Sequence, residues 1–166
     1  LVPFLVWGMW LSQAGPSPSG PNAWYFGEPL LWKVVEWWRF GWMQEGWDSY
    51  VHPMTFAAWF GMLATALNLL PFGQLDGGHL AYAVFGSHAR WISMATLAVV
   101  AVLALAASSW IVFGLMLAAM AYFFGVRHPA VADEPVPLDP RRKFVAVLAL
   151  VIFAVCFTPI PIQLLN

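Results

Sequence analysis

The amino-acid sequence predicts an all-α fold, a polytopic transmembrane helical bundle with about four full spans, a partial N-terminal span and an interfacial helix. Three observations support this prediction. Of the 166 residues, 61% are hydrophobic and only 9% are charged, whereas soluble domains are about one quarter charged. The 11 Trp and 13 Phe residues are typical of proteins that place aromatic side chains at membrane interfaces. Long apolar runs separate the few charged residues.

Charge and cysteine content exclude several other classes of protein. The net charge of -1 provides no basic surface, so we expect no nucleic-acid partner. The single cysteine, Cys156, excludes a disulfide framework and a zinc site made of cysteines. The expected surroundings are the lipid bilayer.

The predicted spans follow from the length of the apolar runs. A helix needs about 20 apolar residues to cross a bilayer, with roughly 17 as the lower limit. Four stretches meet or approach that length, at residues 54–71, 91–107, 109–125 and 144–162. Residues 1–11 are apolar but too short, so we interpret them as the end of a helix. We therefore expect one membrane-embedded domain over residues 1–166, the C-terminal part of a longer protein.

Residues 12–51 differ from the spans in composition. The first part, SQAGPSPSGPN, is typical of turns and loops. In the stretch Glu28–Trp42 the apolar residues recur at helical spacing, and Pro29 stands where a helix start tolerates it. This pattern predicts an amphipathic helix, lying either at the membrane interface or as an ordinary short helix that caps the bundle.

Asp76 is the residue most indicative of function. Between residues 50 and 126 only Asp76 and Arg90 are charged. An ionisable group at membrane depth costs about 2.5–3.5 kcal/mol and is a functional-site hypothesis by default. Pro71 and the glycines around Asp76 predict a break in the helix, which membranes tolerate only where the backbone is packed in protein or lines a wet cavity.

The helix before this break carries a stripe of small and polar residues. The stripe consists of Ala57, Gly61, Thr65 and Asn68, which share one helical face. Small stripes allow membrane helices to approach closely. We therefore expect Asn68 and Asp76 to face the bundle interior. Two simpler roles remain open, a plain interhelical hydrogen bond for Asn68 and a structural pairing with a helix end or a partner helix for Asp76.

The sequence NLLPFGQLDGGH, residues 68–79, resembles the second motif of the site-2 protease family of intramembrane zinc metalloproteases. The flanking residues 52–86 are similar to a bacterial and plastid branch of that family. The resemblance implies a zinc metalloendopeptidase that hydrolyses peptide bonds in or near transmembrane segments. Its partner would be a membrane protein or transmembrane peptide substrate. Its location would be a multi-pass position in the bacterial inner membrane, or alternatively in a plastid membrane.

The resemblance also implies roles for individual residues. Asp76 matches the third zinc ligand, and Asn68 matches an asparagine that could orient substrate or stabilise a developing oxyanion. Gly77 and Gly78 would allow a substrate strand to approach. The cofactor would be zinc, held by three protein ligands with one position open for water.

One departure from the family pattern is serious. In the family an HExxH helix supplies two histidine ligands and a glutamate base, but the four histidines here, His52, His79, His88 and His128, include no such pair. Either that motif lies upstream or the chain is an inactive relative, and in both cases we expect these residues alone to be inactive. An ion- or proton-coupled transporter is the other open alternative, because transporters also place acidic groups on broken helices.

Overall fold

Helices make up most of the described chain in the computed structural model, which describes residues 1–17, 23–125 and 138–165. The helices are α1 (Val2–Leu11), α2 (Leu30–Phe40), α3 (Pro53–Asn68), α4 (Asp76–Phe85), α5 (Ala89–Ala106), α6 (Ser109–Phe124) and α7 (Pro140–Cys156). The prediction of a mainly helical fold is confirmed. Four short strands were not predicted, namely β1 (Gln13–Pro16), β2 (Ala23–Phe26), β3 (Trp47–Tyr50) and β4 (Ile162–Leu165).

The chain divides into two compact units, and the strands all belong to the first, residues 1–65 with 155–166. Strand β1 pairs antiparallel with β3, with Gln13 opposite Tyr50. Strand β2 pairs antiparallel with β4, with Phe26 opposite Ile162. Each pairing joins residues distant in the sequence, and four residues are too few to show the alternation by which strands are predicted.

Close packing of α1 on α3 organises the core of the first unit. A Cβ atom at Gly8 would lie 2.5 Å from the backbone nitrogen of Thr55, so only glycine fits there. The buried Ser12 hydroxyl donates to the Gly8 carbonyl at 2.8 Å and accepts the His52 backbone N–H at 2.9 Å. The indole N–H of the buried Trp59 donates to the Gly27 carbonyl at 2.7 Å. These bonds satisfy polar groups inside an otherwise apolar core.

Helix α2 confirms the predicted helix, and only part of its apolar surface is buried. Trp32, Val35 and Glu36 are buried, whereas Val34 and Trp38 remain 61% and 60% exposed. The apolar positions cover more of the helix circumference than one packing face can bury. An exposed apolar face is compatible with the predicted interfacial position, which stays a prediction.

The second unit, residues 66–154, contains a long apolar helical run. Helix α4, a short 3₁₀ turn at Gly86–His88 and α5 are consecutive in the sequence, and Gly86 between the helices has a φ angle of 56°. This run, Asp76–Ala106, is the one stretch among the described residues that is both long and apolar enough to cross a membrane. Helix α6 packs on α5 as a hairpin with Val100, Trp110 and Leu117 buried.

Helices α3 and α7 both end before the predicted ends of their spans. Helix α3 ends at Asn68, three residues before the predicted end, because Pro71 and the turns around it stop the helix. Helix α7 ends at Cys156, since Pro159 and Pro161 follow, and the predicted tail of that span instead enters β4. The prediction of four full spans therefore stays a prediction.

Candidate functional site

The segment between α3 and α4, residues 69–75, forms a series of tight turns. The Phe72 N–H donates to the Leu70 carbonyl at 2.7 Å, and the Leu75 N–H donates to the Phe72 carbonyl at 3.0 Å. Gly73 has a φ angle of 49°, in the left-handed region that glycine adopts without steric cost. The structure thus has a break between α3 and α4 where the sequence predicts one, and Asp76 is the first residue of the new helix.

Gly77 and Gly78 pack directly on the backbone of this break. A Cβ atom at Gly77 would collide with the Leu69 carbonyl oxygen, and one at Gly78 would collide with that of Gly73. Both glycines are buried. The first turn of α4 can therefore approach the break only because these two positions lack side chains.

Two hydroxyl groups of α5 anchor the break, and sequence reasoning did not identify them. The buried Ser93 hydroxyl accepts the Gly73 N–H at 3.2 Å. One turn later, the Thr96 hydroxyl shares its single proton between the Pro71 carbonyl, at 3.2 Å, and the Ile92 carbonyl of its own helix, at 3.0 Å. Ser93 and Thr96 are the only polar side chains in the predicted span 91–107. Two polar residues within one apolar span were therefore the sequence feature that could have identified these contacts.

We expect Ser93→Ala to loosen the break and lower the thermal stability of the second unit. The Gly73 N–H would lose its partner, and a buried unsatisfied group costs about 1–3 kcal/mol. Ser87→Ala, at an exposed position, is the matched control. Thermal unfolding of both variants in detergent measures the difference, and equal midpoints would contradict the anchoring role of Ser93.

Asp76 and Asn68 are both exposed in this chain. Asp76 lies in the first turn of α4, where the helix dipole stabilises a negative charge. Asn68 is the last residue of α3. The inward orientation expected from the small-residue stripe is therefore not observed within the described residues, because none of them covers this face.

The histidines have separate positions. The imidazole Nδ1 of His52 accepts the Met54 N–H at 3.2 Å at the start of α3, which is a capping role. His79 lies in the first turns of α4 and His88 at the end of the 3₁₀ turn, both exposed. His128 lies outside the described residues. These positions give no arrangement resembling a histidine pair.

A zinc site around Asp76 is not complete within the part of the chain that the structure describes. A catalytic zinc takes three protein ligands. Among the described residues, the one group of three or more potential ligands is Glu28, Glu36 and Asp48 in the first unit. Asp76 is not a member of that group. Its exposed carboxylate can offer one oxygen ligand, and the described residues do not supply the other two.

The carboxylates of Glu28, Glu36 and Asp48 form an acidic cluster, with oxygens that all lie within 4.8 Å of one another. Burial raises the pKa of Glu36, and the negative charge of Asp48 raises it further. The Ser49 hydroxyl, which donates a hydrogen bond to Glu36 at 2.5 Å, lowers this pKa and so opposes the rise. Burial also raises the pKa of Glu28, and the Glu36 charge adds to that rise. Lys33, 3.9 Å from Glu28, offsets part of the negative charge.

The acidic cluster predicts that stability falls as pH rises. In the folded state the Glu36 carboxyl group holds its proton to a higher pH than in the unfolded chain, where the ordinary pKa is 4.5. Folding stability therefore falls as pH rises from 4.5 through the raised folded pKa. Glu36→Gln removes the buried charge and keeps an oxygen that accepts the Ser49 hydrogen bond. We expect its melting temperature to exceed that of the wild type at about pH 8 and to match it near pH 4.5. Glu45→Gln, at an exposed position, is the control and should have the wild-type melting temperature at both pH values. A Glu36→Gln variant that also has the wild-type melting temperature at both pH values would contradict the expectation.

Comparison with known proteins agrees with the motif. Residues 40–112 match peptidase family M50. The chain is 38% identical over 119 residues to "Probable zinc metallopeptidase EGY3, chloroplastic" of Arabidopsis thaliana, covering 68% of this chain and 20% of that protein. It is 29% identical over 115 residues to "Probable zinc metalloprotease EGY2, chloroplastic" of the same plant, covering 67% and 19%. No solved structure matches the chain.

The matched region includes the whole break and the first turn of α4. Residues 40–112 match the model of peptidase family M50, the site-2 proteases, so the resemblance predicted from the motif at residues 68–79 is confirmed. The chain spans about a fifth of the length of the curated relatives it matches.

Proposed function

We propose that residues 1–166 are part of an intramembrane zinc metalloendopeptidase, which hydrolyses peptide bonds in or near transmembrane segments. The observation that carries the proposal is the position of Asp76. Its carboxylate is exposed at the start of α4, directly after a backbone break, and it lies within the region that matches peptidase family M50.

In this proposal Asp76 supplies the third zinc ligand, and an HExxH helix outside these 166 residues supplies the other two. A bound zinc ion would lower the pKa of a water molecule from about 15.7 toward 7. The contribution of this chain is to hold the carboxylate in place. Two observations support that role. Gly77 and Gly78 of α4 pack on the break, and the Ser93 hydroxyl is hydrogen-bonded to it, so both contacts fix the position of the first turn of α4.

We propose that the side-chain N–H of Asn68 donates a hydrogen bond to the substrate carbonyl oxygen. Its exposed position at the end of α3 supports this, since a buried amide could not reach a substrate. For Gly77 and Gly78 the proposed role is indirect. Both are packed against the chain's own backbone, so they would let a substrate strand approach by keeping the first turn of α4 close to the break.

The proposed surroundings are a lipid bilayer, and the proposed partner is a membrane protein or transmembrane peptide. The apolar run Asp76–Ala106 supports this, as do large apolar side chains that remain exposed on α6 and α7, among them Val112, Leu115, Phe123, Phe144 and Leu150. Water-soluble proteins rarely expose such extended apolar patches. The bacterial inner membrane and a plastid membrane are both compatible, and the chloroplastic relatives support the plastid.

The test uses the full-length protein, purified from membranes and incubated with a membrane protein that carries a cleavable transmembrane segment. We expect the protein to resist extraction from membranes at high pH, to cleave the reporter, and to lose cleavage when a chelator removes zinc. Cleavage that continues at an unchanged rate without metal would overturn the proposal, and so would release of the protein into the soluble fraction.

A further inference from the structure

The second unit contains an apolar groove of about 720 Å³ between α4, the break that precedes it and α7. Its walls are formed by aliphatic and aromatic side chains of these elements, including Pro71, Leu80, Val84, Ala146, Leu150 and Phe153. The single charged residue that lines it is Lys143 in the first turn of α7. The groove is therefore apolar apart from one basic residue.

We propose that this groove binds one anionic phospholipid, with an acyl chain along the apolar walls and the phosphate at the Lys143 ammonium group. The inference rests on the membrane location in the proposed function and concerns a different site from Asp76. The lipid would lie beside Gly77, which also lines the groove. It would contact both α4 and α7 and hold these two helices together.

The size of the groove favours a lipid chain over a transmembrane helix. A helix with side chains is about 10–12 Å in diameter and rises about 5.4 Å per turn. A volume of about 720 Å³ therefore holds only about one to two helical turns. It lies within the roughly 300–1,000 Å³ range of small-molecule sites.

The charges at the start of α7 favour an anionic headgroup. Arg141, Arg142 and Lys143 are all exposed in the first turn of this helix, where positive charge opposes the helix dipole and destabilises the helix. The neighbouring acid, Asp139, is engaged as a cap, because its Oδ1 accepts the Arg142 backbone N–H at 2.7 Å. Helix stability thus does not explain the basic cluster, whereas attraction to anionic lipid does.

The headgroup contact is tested by titrating the full-length protein, in detergent, with phosphatidylglycerol and with phosphatidylcholine of the same chain length. We expect Lys143→Gln to weaken phosphatidylglycerol binding about fivefold and to leave phosphatidylcholine binding unchanged. Arg142→Gln is the matched control, because Arg142 does not line the groove. Equal losses for the two variants would overturn the site and indicate unspecific attraction to the basic cluster.

The acyl-chain contact is tested with a pair of substitutions on α7. Ala149 lines the groove, whereas Ala154 on the same helix does not, so Ala149→Phe should abolish binding of both lipids and Ala154→Phe should not. Equal binding by both variants would overturn the proposal. A helical transmembrane peptide is the competing occupant. If such a peptide displaces bound lipid from the wild type and fails to bind Ala149→Phe, the groove is a peptide site and the proposal is overturned. These titrations do not depend on cleavage, so a failed lipid site and a failed protease assignment are distinguishable.

Discussion

Asp76→Asn in the full-length protein is expected to abolish both zinc retention and cleavage of a transmembrane reporter. The substitution keeps the size of the side chain and replaces a charged oxygen ligand with a neutral amide. Removing a partner that only orients a metal ligand typically costs 10–100-fold in affinity or activity, so losing the ligand itself should cost more. Bound zinc measured per protein and the initial cleavage rate measure the two effects.

Asp139→Asn is the matched control for this prediction. Asp139 is an exposed acid of the same unit, and its carboxylate accepts the Arg142 backbone N–H at the start of α7. Asparagine caps a helix about as well as aspartate, so zinc content and cleavage should remain at the wild-type level. If Asp76→Asn retains as much zinc and cleaves as fast as Asp139→Asn, Asp76 is not a zinc ligand.

Gly78→Ala is expected to have a large effect on stability. The added methyl group would collide with the Gly73 carbonyl oxygen and lie 2.7 Å from that of Phe72. Backbone cannot move aside as a flexible side chain does, so the cost should reach or exceed the 1–3 kcal/mol typical of overpacking. We expect a lower melting temperature in detergent and loss of cleavage, because α4 and Asp76 would be pushed away from the break.

Gly114→Ala tests whether this effect comes from packing or from the loss of any helical glycine. Gly114 lies inside α6, and a Cβ atom there would meet its nearest neighbour, Val100 Cγ1, at an ordinary 3.6 Å. Replacing a glycine within a helix by alanine stabilises the helix by up to about 1 kcal/mol. We therefore expect opposite changes in melting temperature, and the same change in both variants would contradict the packing argument.

The sequence predicts a break near Asp76, because proline, glycine and a lone charge are strong signals in an apolar stretch, but it places Asp76 on the break, whereas Asp76 and the two glycines after it begin helix α4. Pro71 and Gly73 behave as expected, and α4 begins at Asp76. The packing of Gly77 and Gly78 on the break was not predicted, since the resemblance suggested only contact with substrate. Whether a glycine faces a ligand or its own backbone depends on tertiary contacts that spacing does not contain.

Other features that escaped prediction depend on residues brought together from distant parts of the chain. Ser93 anchors Gly73 across 20 positions, and the acidic cluster joins Glu28 and Glu36 to Asp48 of strand β3. Strand β2 likewise requires a partner from the far end of the chain. Local periodicity predicts elements, whereas these pairings are set by how the elements pack.

The most direct test of the central assignment is an experimental structure of the zinc-loaded, full-length protein. We predict an Asp76 carboxylate oxygen about 2.0–2.2 Å from the metal, with two histidines from outside these residues completing the protein ligands. A zinc ion fully coordinated by other residues, with the Asp76 carboxylate more than about 4 Å away, would contradict it.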